Sequence, residues 1–309
     1  MMEEPPEAFS SSHVPVMLEE VLHYLDPQPG QVIVDGTVGG GGHARAILER
    51  ILPGGTLIGV DRDPFMLERA RQALPADRVI LVHGRFDQLR EILDDLGIAC
   101  VDGVLLDLGV SSDQLADPER GFSFRSSAPL DMRMDPTQAG LTAAEIVNRA
   151  SESELVQILR TYGEERFARR IARAIVQARR RAPLRTAKEL AQVVADAVPP
   201  NYERGRIHPA TRTFQALRIV VNDELNALAR FFQMVPRCLK PGGRAVVISF
   251  HSLEDRVVKH AFANRELWDR LTKKPVRPSS EEVAQNPRAR SARLRAATLR
   301  AAAPQPRNA

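Results

Sequence analysis

Cysteine is nearly missing from this chain: Cys100 and Cys238 are the only two in 309 residues, each inside an apolar segment. That excludes a disulfide framework and fits a reducing compartment. No Cys-x-x-Cys occurs and the seven histidines are scattered without short ligand spacings, so no metal is expected. Long apolar runs are lacking too, with no window near the roughly 18 residues that cross a bilayer. The start, Met1 to Ser12, is acidic and proline-bearing rather than basic and then apolar. A soluble cytoplasmic protein without a membrane partner is expected. Lysine is scarce, at positions 188, 240, 259, 273 and 274, and acids vanish after Glu282 while six arginines follow. The balance is a net charge of +4 and a pI near 9.4, weakly in favour of a nucleic-acid partner.

What is present is organised around Val32 to His43. A β-branched run ends in Asp35, and four consecutive glycines, Gly39 to Gly42, then lead into the helix-like Ala44 to Arg50. This reads as a buried strand, a tight turn and a helix start. Glycines let a backbone approach a ligand that any Cβ would exclude, and helix-start amides favour a polar or anionic group. No Gly-Lys-Ser/Thr follows, so a P-loop nucleotidase is excluded.

Strand and helix then alternate. Apolar runs at Thr56 to Val60, Val79 to Val82 and Val101 to Leu106 end near Asp61, Phe86 and Asp107, with helices expected at Pro64 to Ala73 and Leu89 to Leu96. Such alternation predicts a parallel sheet with right-handed crossovers and a ligand site beyond the strands' carboxyl ends. Asp35, Asp61, Phe86 and Asp107 would gather at that edge. Strands resume only at Ala245 to Phe250, after a long periodic helix from Phe214 to Val235, and Trp268 to Val276 and Ser291 to Thr298 suit two closing strands. The expected organisation is an α/β core of residues 13–114 and 206–300, a helical insertion at 115–205, and disordered tails at 1–12 and 301–309.

Arginine is concentrated in that insertion. Nine fall between Arg160 and Arg185, against only Glu164 and Glu165, and a helix over Glu164 to Arg181 would show Phe167, Ile171 and Ile175 on one face and arginine on the other. A solvated face is the plain reading. The one-sidedness favours phosphate contact, with Arg169, Arg170 and Arg173 as candidates, because guanidinium forks suit phosphate oxygens.

Six stretches, in order, carry a resemblance: Asp35 to His43, Leu106 to Ser112, Glu119 to Phe124, Tyr162 to Arg166, His208 to Gln215 and Ser249 to Arg256. The chain from about His13 to Thr298 resembles the class I methyltransferases that use S-adenosylmethionine. Within them it is similar to the bacterial small-subunit ribosomal RNA (cytosine-N4)-methyltransferase H family. The resemblance implies a Rossmann-like, mostly parallel sheet with an inserted helical domain. It also implies transfer of a methyl group to the exocyclic N4 of a cytidine in the decoding region of 16S ribosomal RNA, within the small ribosomal subunit. Matching positions imply cofactor contacts at Gly41, Gly42, His43, Asp61, Phe86, Asp107 and Gln114.

An N4 acceptor is needed to localise the nitrogen lone pair and take up developing charge. Many amino-methyltransferases carry Asp/Asn/Ser-Pro-Pro-Tyr/Phe after the fourth strand for this, and here the slot reads Asp107-Leu108-Gly109-Val110. Asp107, Ser111 and Ser112 are therefore the catalytic candidates, and no base-stacking aromatic is evident. Two other classes fit parts of the pattern: a nicotinamide-dinucleotide oxidoreductase, from Gly39-x-Gly41-x-x-Ala44 with Asp61, and a catalytically silent RNA-binding factor. The motifs after the fourth and fifth strands weigh against the first, and the intact row of acids against the second.

Overall fold

The computed structural model describes residues 15–117, 119–124, 127–205 and 207–301. The expected tails lie outside these residues, apart from Ala301. The chain forms two compact units, one of residues up to 108 and from 234 onward, the other of residues 109–233.

The first unit opens with α1 (Leu18–Leu25), then β1 (Val32–Asp35), α2 (Gly42–Ile51), β2 (Thr56–Asp61), α3 (Pro64–Ala73), β3 (Val79–His83), α4 (Leu89–Asp95) and β4 (Val101–Asp107). Start signals in the sequence fix where helices begin. Asp63 caps α3 by accepting from the Phe65 amide, with Pro64 at the first helical position. Strands β1 and β2 and most of β4 are buried, whereas β3, at the edge of the sheet, is only partly so.

The second unit is helical: α5 (Ser112–Ala116), α6 (Ala143–Arg149), α7 (Glu152–Gly163), α8 (Ala168–Arg181), α9 (Ala187–Ala197), α10 (Thr211–Asn222) and α11 (Glu224–Met234). Helix α7 packs on α8 and α10, and α8 on α9. Leu155, Leu159, Ile171, Ile175, Leu190 and Leu217 lie in its core. One expected helix starts late and another is broken. The one expected over Glu164 to Arg181 starts at Ala168, because Glu164 ends α7 at φ 47° and Glu165 turns inward as a buried carboxylate. The one expected over Phe214 to Val235 breaks at Asp223, at φ 53°. Phe214 and Leu217 belong to the second unit's core, so α10, which the sequence assigns to the α/β core, lies in the helical unit.

The chain returns through β5 (Leu239–Ser249), α12 (Ser252–Ala261), β6 (Trp268–Arg270), α13 (Ser280–Gln285) and β7 (Arg293–Leu299). Seven strands form one sheet in the order β3-β2-β1-β4-β5-β7-β6, parallel except that β7 runs antiparallel to β5 and β6. The expected closing strands exist but are shorter at β6, and α13 separates them. Strand order reverses between β1 and β4, and the crevice above such a switch point is where open α/β sheets bind ligands. Among the described residues no helix is long and apolar enough to cross a membrane.

Candidate active site

Register sets the geometry of the sheet edge. Asp35 pairs with Gly59 of β2 and with Leu105 of β4, so Asp61 and Asp107 each reach two residues beyond it. Asp35 is thus the floor of the crevice and the other two acids its walls. A Cβ on Gly36 would lie 2.5 Å from Leu106 Cδ2 and 3.2 Å from Phe86 Cβ, so only glycine lets Phe86 close over this turn. Phe86 sits in a single 3-10 turn just past β3.

Asp61 is held from two sides. Its Oδ2 accepts from the Gly39 amide at 2.8 Å and its Oδ1 from the Asp63 amide at 2.9 Å, which ties the glycine turn to β2. Burial still pushes its pKa up to about 6, since these bonds offset only part of the desolvation. Asp35, almost fully buried, is pushed by the same cause to about 7.

Asp107 differs in having little to hold it. Its amide donates to Thr37 Oγ1 at 2.6 Å. Its carboxyl atom Oδ1 is buried without a hydrogen-bond partner among the described residues. Burial, followed by the charges of Asp35 and Glu254, pushes its pKa well above the carboxylate range. A buried acceptor left unpaired is costly, which marks a place where a donor is missing.

The start of α2 lies at the glycine turn. Gly41 is the N-cap at φ 89° and, having no side chain, makes no cap hydrogen bond, so the first amides of the helix point into the turn. A Cβ built on Gly40 would meet no described atom within 4 Å, whereas one on Gly41 would meet Leu74 at 3.1 Å. Space above the turn therefore opens at Gly40, while Gly41 is glycine for its positive φ. His43 is buried, with Nε2 2.9 Å from the Val16 carbonyl. The tautomer that donates there leaves Nδ1 unprotonated, facing Asp107 Oδ2 at 3.8 Å. The ring is thus occupied inside the unit.

Gln114 and Ser111 lie in the helical unit. They cap α5 reciprocally, the Ser111 amide donating to Gln114 Oε1 at 2.9 Å and the Gln114 amide to Ser111 Oγ at 3.1 Å. The Ser112 side chain is outside the described atoms. In the same unit Arg169, Arg170 and Arg173 are exposed on α8 and line a shallow groove of about 290 Å³ with Ala174, Gln177 and Ala197. Arg179 is not part of that face. Its Nη1 donates to the Val147 and Ala150 carbonyls at the end of α6, both at 2.7 Å.

Sequence reasoning missed two polar residues of the crevice. Thr37 links β4 to the turn after β1 by accepting from Asp107 and donating its amide to Asp35 Oδ1 at 3.2 Å. Glu254, buried, accepts from the Phe250 amide at 2.8 Å and adds its charge beside Asp107. Its signal was legible: His251 and Glu254 stand at the spacing of a capping box, and His251 Nδ1 accepts from the Glu254 amide.

A pH effect on stability follows. Asp35 ionises near 3.8 in the unfolded chain and near 7 in the fold, so the folded state holds the extra proton between those values. Stability then falls as pH rises from about 4 to 7, by up to about 1.4 kcal/mol per pH unit from this group. Denaturant melts across that window should show a shallower decline for Asp35→Asn than for the unsubstituted chain. Parallel slopes would mean that Asp35 is ionised in the fold.

A sheet of this order with an antiparallel β7, acids ending β1, β2 and β4, and a glycine turn after β1 define a class I methyltransferase. Residues 10–300 match the model of the MraW methylase family, and the chain belongs to that family. The ribosomal RNA small subunit methyltransferase H of Syntrophotalea carbinolica is 55% identical over 302 residues, 91% of this chain and 96% of the relative. The protein of the same name from Geobacter sulfurreducens is 53% identical, covering 92% and 97%. That from Deinococcus radiodurans is 51% identical, covering 92% and 88%. The protein is an enzyme, a methyltransferase.

Proposed function

We propose that this enzyme methylates the exocyclic N4 of a cytidine in the decoding region of 16S ribosomal RNA, within the small subunit. The observation that supports it most is Asp107, whose buried Oδ1 has no partner among the described residues at the switch point of a methyltransferase sheet. The cofactor is S-adenosylmethionine, which when bound supplies a methyl group on a sulfonium sulfur. The residues present suit it. Asp61 keeps lone pairs for a ribose diol, Phe86 offers a ring for adenine, the amides of Gly42 and His43 face a carboxylate, and Gly40 leaves room.

Asp107 accepts an N4 hydrogen of cytosine, which localises the nitrogen lone pair and receives the proton as the nitrogen becomes methylated. Asp35 and Glu254 raise the basicity of Asp107, and Thr37 fixes its backbone. Much of the rate comes from holding donor and acceptor in line. The cytosine must leave its stack to reach such a pocket. In the helical unit the arginine face of α8 holds RNA phosphates, with Arg169, Arg170 and Arg173 around the groove. Gln114 and Ser111 keep α5 in place.

Two measurements test this reading. Labelled methyl should pass from S-adenosylmethionine to small subunits purified from a strain lacking the enzyme, and not to large subunits; transfer to the large subunit instead would refute it. Replacing Arg169, Arg170 and Arg173 together with alanine should lower the slope of log affinity against log salt by about 2, since each phosphate no longer neutralised removes roughly 0.7 from it. Cofactor affinity should stay as it was. An unchanged slope would make the α8 face merely solvated.

A further inference from the structure

Three of the six motif stretches lie in the helical unit, which brings them to one corner. Arg212 Nη1, on α10, donates to the Glu164 carbonyl at 2.8 Å, and Gln215 Nε2 donates to the Tyr162 carbonyl at 2.9 Å. The two helices meet closely because a Cβ on Gly163 would lie 2.8 Å from the Arg212 carbonyl oxygen. Thus His208 to Gln215 is fastened to Tyr162 to Arg166. The third stretch joins through its aromatic: the Phe124 ring lies flat against the His208 imidazole, with centroids 4.2 Å apart and planes 10° from parallel. Phe214 meets Phe124 edge-on at 5.9 Å and holds it from the side.

The outcome is a fixed plane at the surface. His208 is exposed, yet its ring is oriented from two directions. Phe124 stacks against it, and Nδ1 accepts from the Ala210 amide at 3.1 Å. Its carbonyl also accepts from the Thr211 amide at the start of α10. Exposed imidazoles are ordinarily mobile, and this one is held parallel to a phenyl ring. From the Glu164 carbonyl that Arg212 holds, the chain continues into Arg166, whose guanidinium lies 4.9 Å from the Phe167 ring centre, and into the exposed Arg169 and Arg170. An aromatic plane next to a basic track is the combination by which proteins hold unpaired nucleotides, since every base has a π face and every nucleotide a phosphate.

We propose that His208, backed by Phe124, is a stacking platform for one unpaired base of the RNA substrate. This rests on the RNA-directed function proposed above and adds the aromatic contact that the slot after β4 does not supply. Pre-organisation is the physical gain, because a ring already fixed in plane loses little further entropy when a base covers it. The base is held by its face and not by its edge, so the platform selects single-stranded RNA without choosing among bases.

The test compares His208→Ala with His208→Phe in methyl transfer to small subunits purified from a strain lacking the enzyme, with S-adenosylmethionine affinity measured by calorimetry. Both variants lose the bond to the Ala210 amide, so only the ring separates them. Stacking of one base predicts that the alanine variant loses roughly 10-fold or more in kcat/KM for subunits, that phenylalanine restores most of it, and that cofactor affinity is unchanged in both. Full kcat/KM in the alanine variant, or equal losses in the two variants, would overturn the platform while leaving the RNA-directed function standing. No transfer by the unsubstituted chain would overturn both.

Discussion

Replacing Asp107 with asparagine should lower methyl transfer by about 100-fold or more, the range in which a positioned proton acceptor contributes to catalysis. Asparagine keeps the shape and an acceptor oxygen but cannot take the proton that leaves the methylated nitrogen. The loss should appear in kcat, with the affinity for S-adenosylmethionine changed far less. A pH profile sharpens the expectation. Burial and the neighbouring charges of Asp35 and Glu254 keep Asp107 protonated to well above the usual carboxylate range, and only the ionised form accepts a proton. Turnover should therefore rise as pH increases through the range in which Asp107 ionises. Asp107→Asn should lack that rise. Full turnover with unaltered cofactor affinity in the variant would remove Asp107 from both the catalytic and the binding role.

The second large effect is expected at Asp61. Its two oxygens already receive the Gly39 and Asp63 amides, so the carboxylate is aimed before any ligand arrives. Asp61→Ala removes the acceptor for a ribose diol and also releases the glycine turn from β2. Charge-assisted bonds contribute about 1.5–3 kcal/mol each, so S-adenosylmethionine affinity should fall at least about 10-fold by calorimetry. Asp61→Asn retains one acceptor oxygen and should fall less. Acidity acts in the same direction: the pKa near 6 means that cofactor affinity declines as pH drops below about 6 and the carboxylate is neutralised. Equal affinity across both variants and across the window from two units above that pKa to one below it would place the ribose elsewhere.

Much of the α/β half was legible because each strand carries its own punctuation. Val32 to Asp35 and Val101 to Asp107 are apolar runs closed by an acid, and the strands observed at β1 and β4 have those limits. The helical half was harder to read for a definite reason. Helices α7 and α10 end on Glu164 and Asp223 in the left-handed region, where glycine is the usual signal. Without a glycine at those two positions, the apolar spacing began α8 four residues early, at Glu164, and ran α10 and α11 together as one helix. Position along the chain also gave no direction to a side chain. His43 belongs to the glycine turn by sequence, yet its ring bonds Val16 inside the unit. Thr37 is one letter in that turn, and its bond to the Asp107 amide depends on a pairing of strands separated by the whole of β2 to α4. The value of Phe124 and His208 was hidden in the same way, since two rings that lie 4.2 Å apart come from either side of helices α6 to α9.

A role for the row of acids in amino methylation is tested most directly by one chemical product. Small subunits from a strain lacking the enzyme would be incubated with the purified full chain and methyl-labelled S-adenosylmethionine, and their RNA digested to nucleosides and separated. Label in N4-methylcytidine is the predicted result. Label in a 2′-O-methylated or C5-methylated nucleoside would contradict it, because neither acceptor needs a proton-accepting carboxylate beside an exocyclic amine.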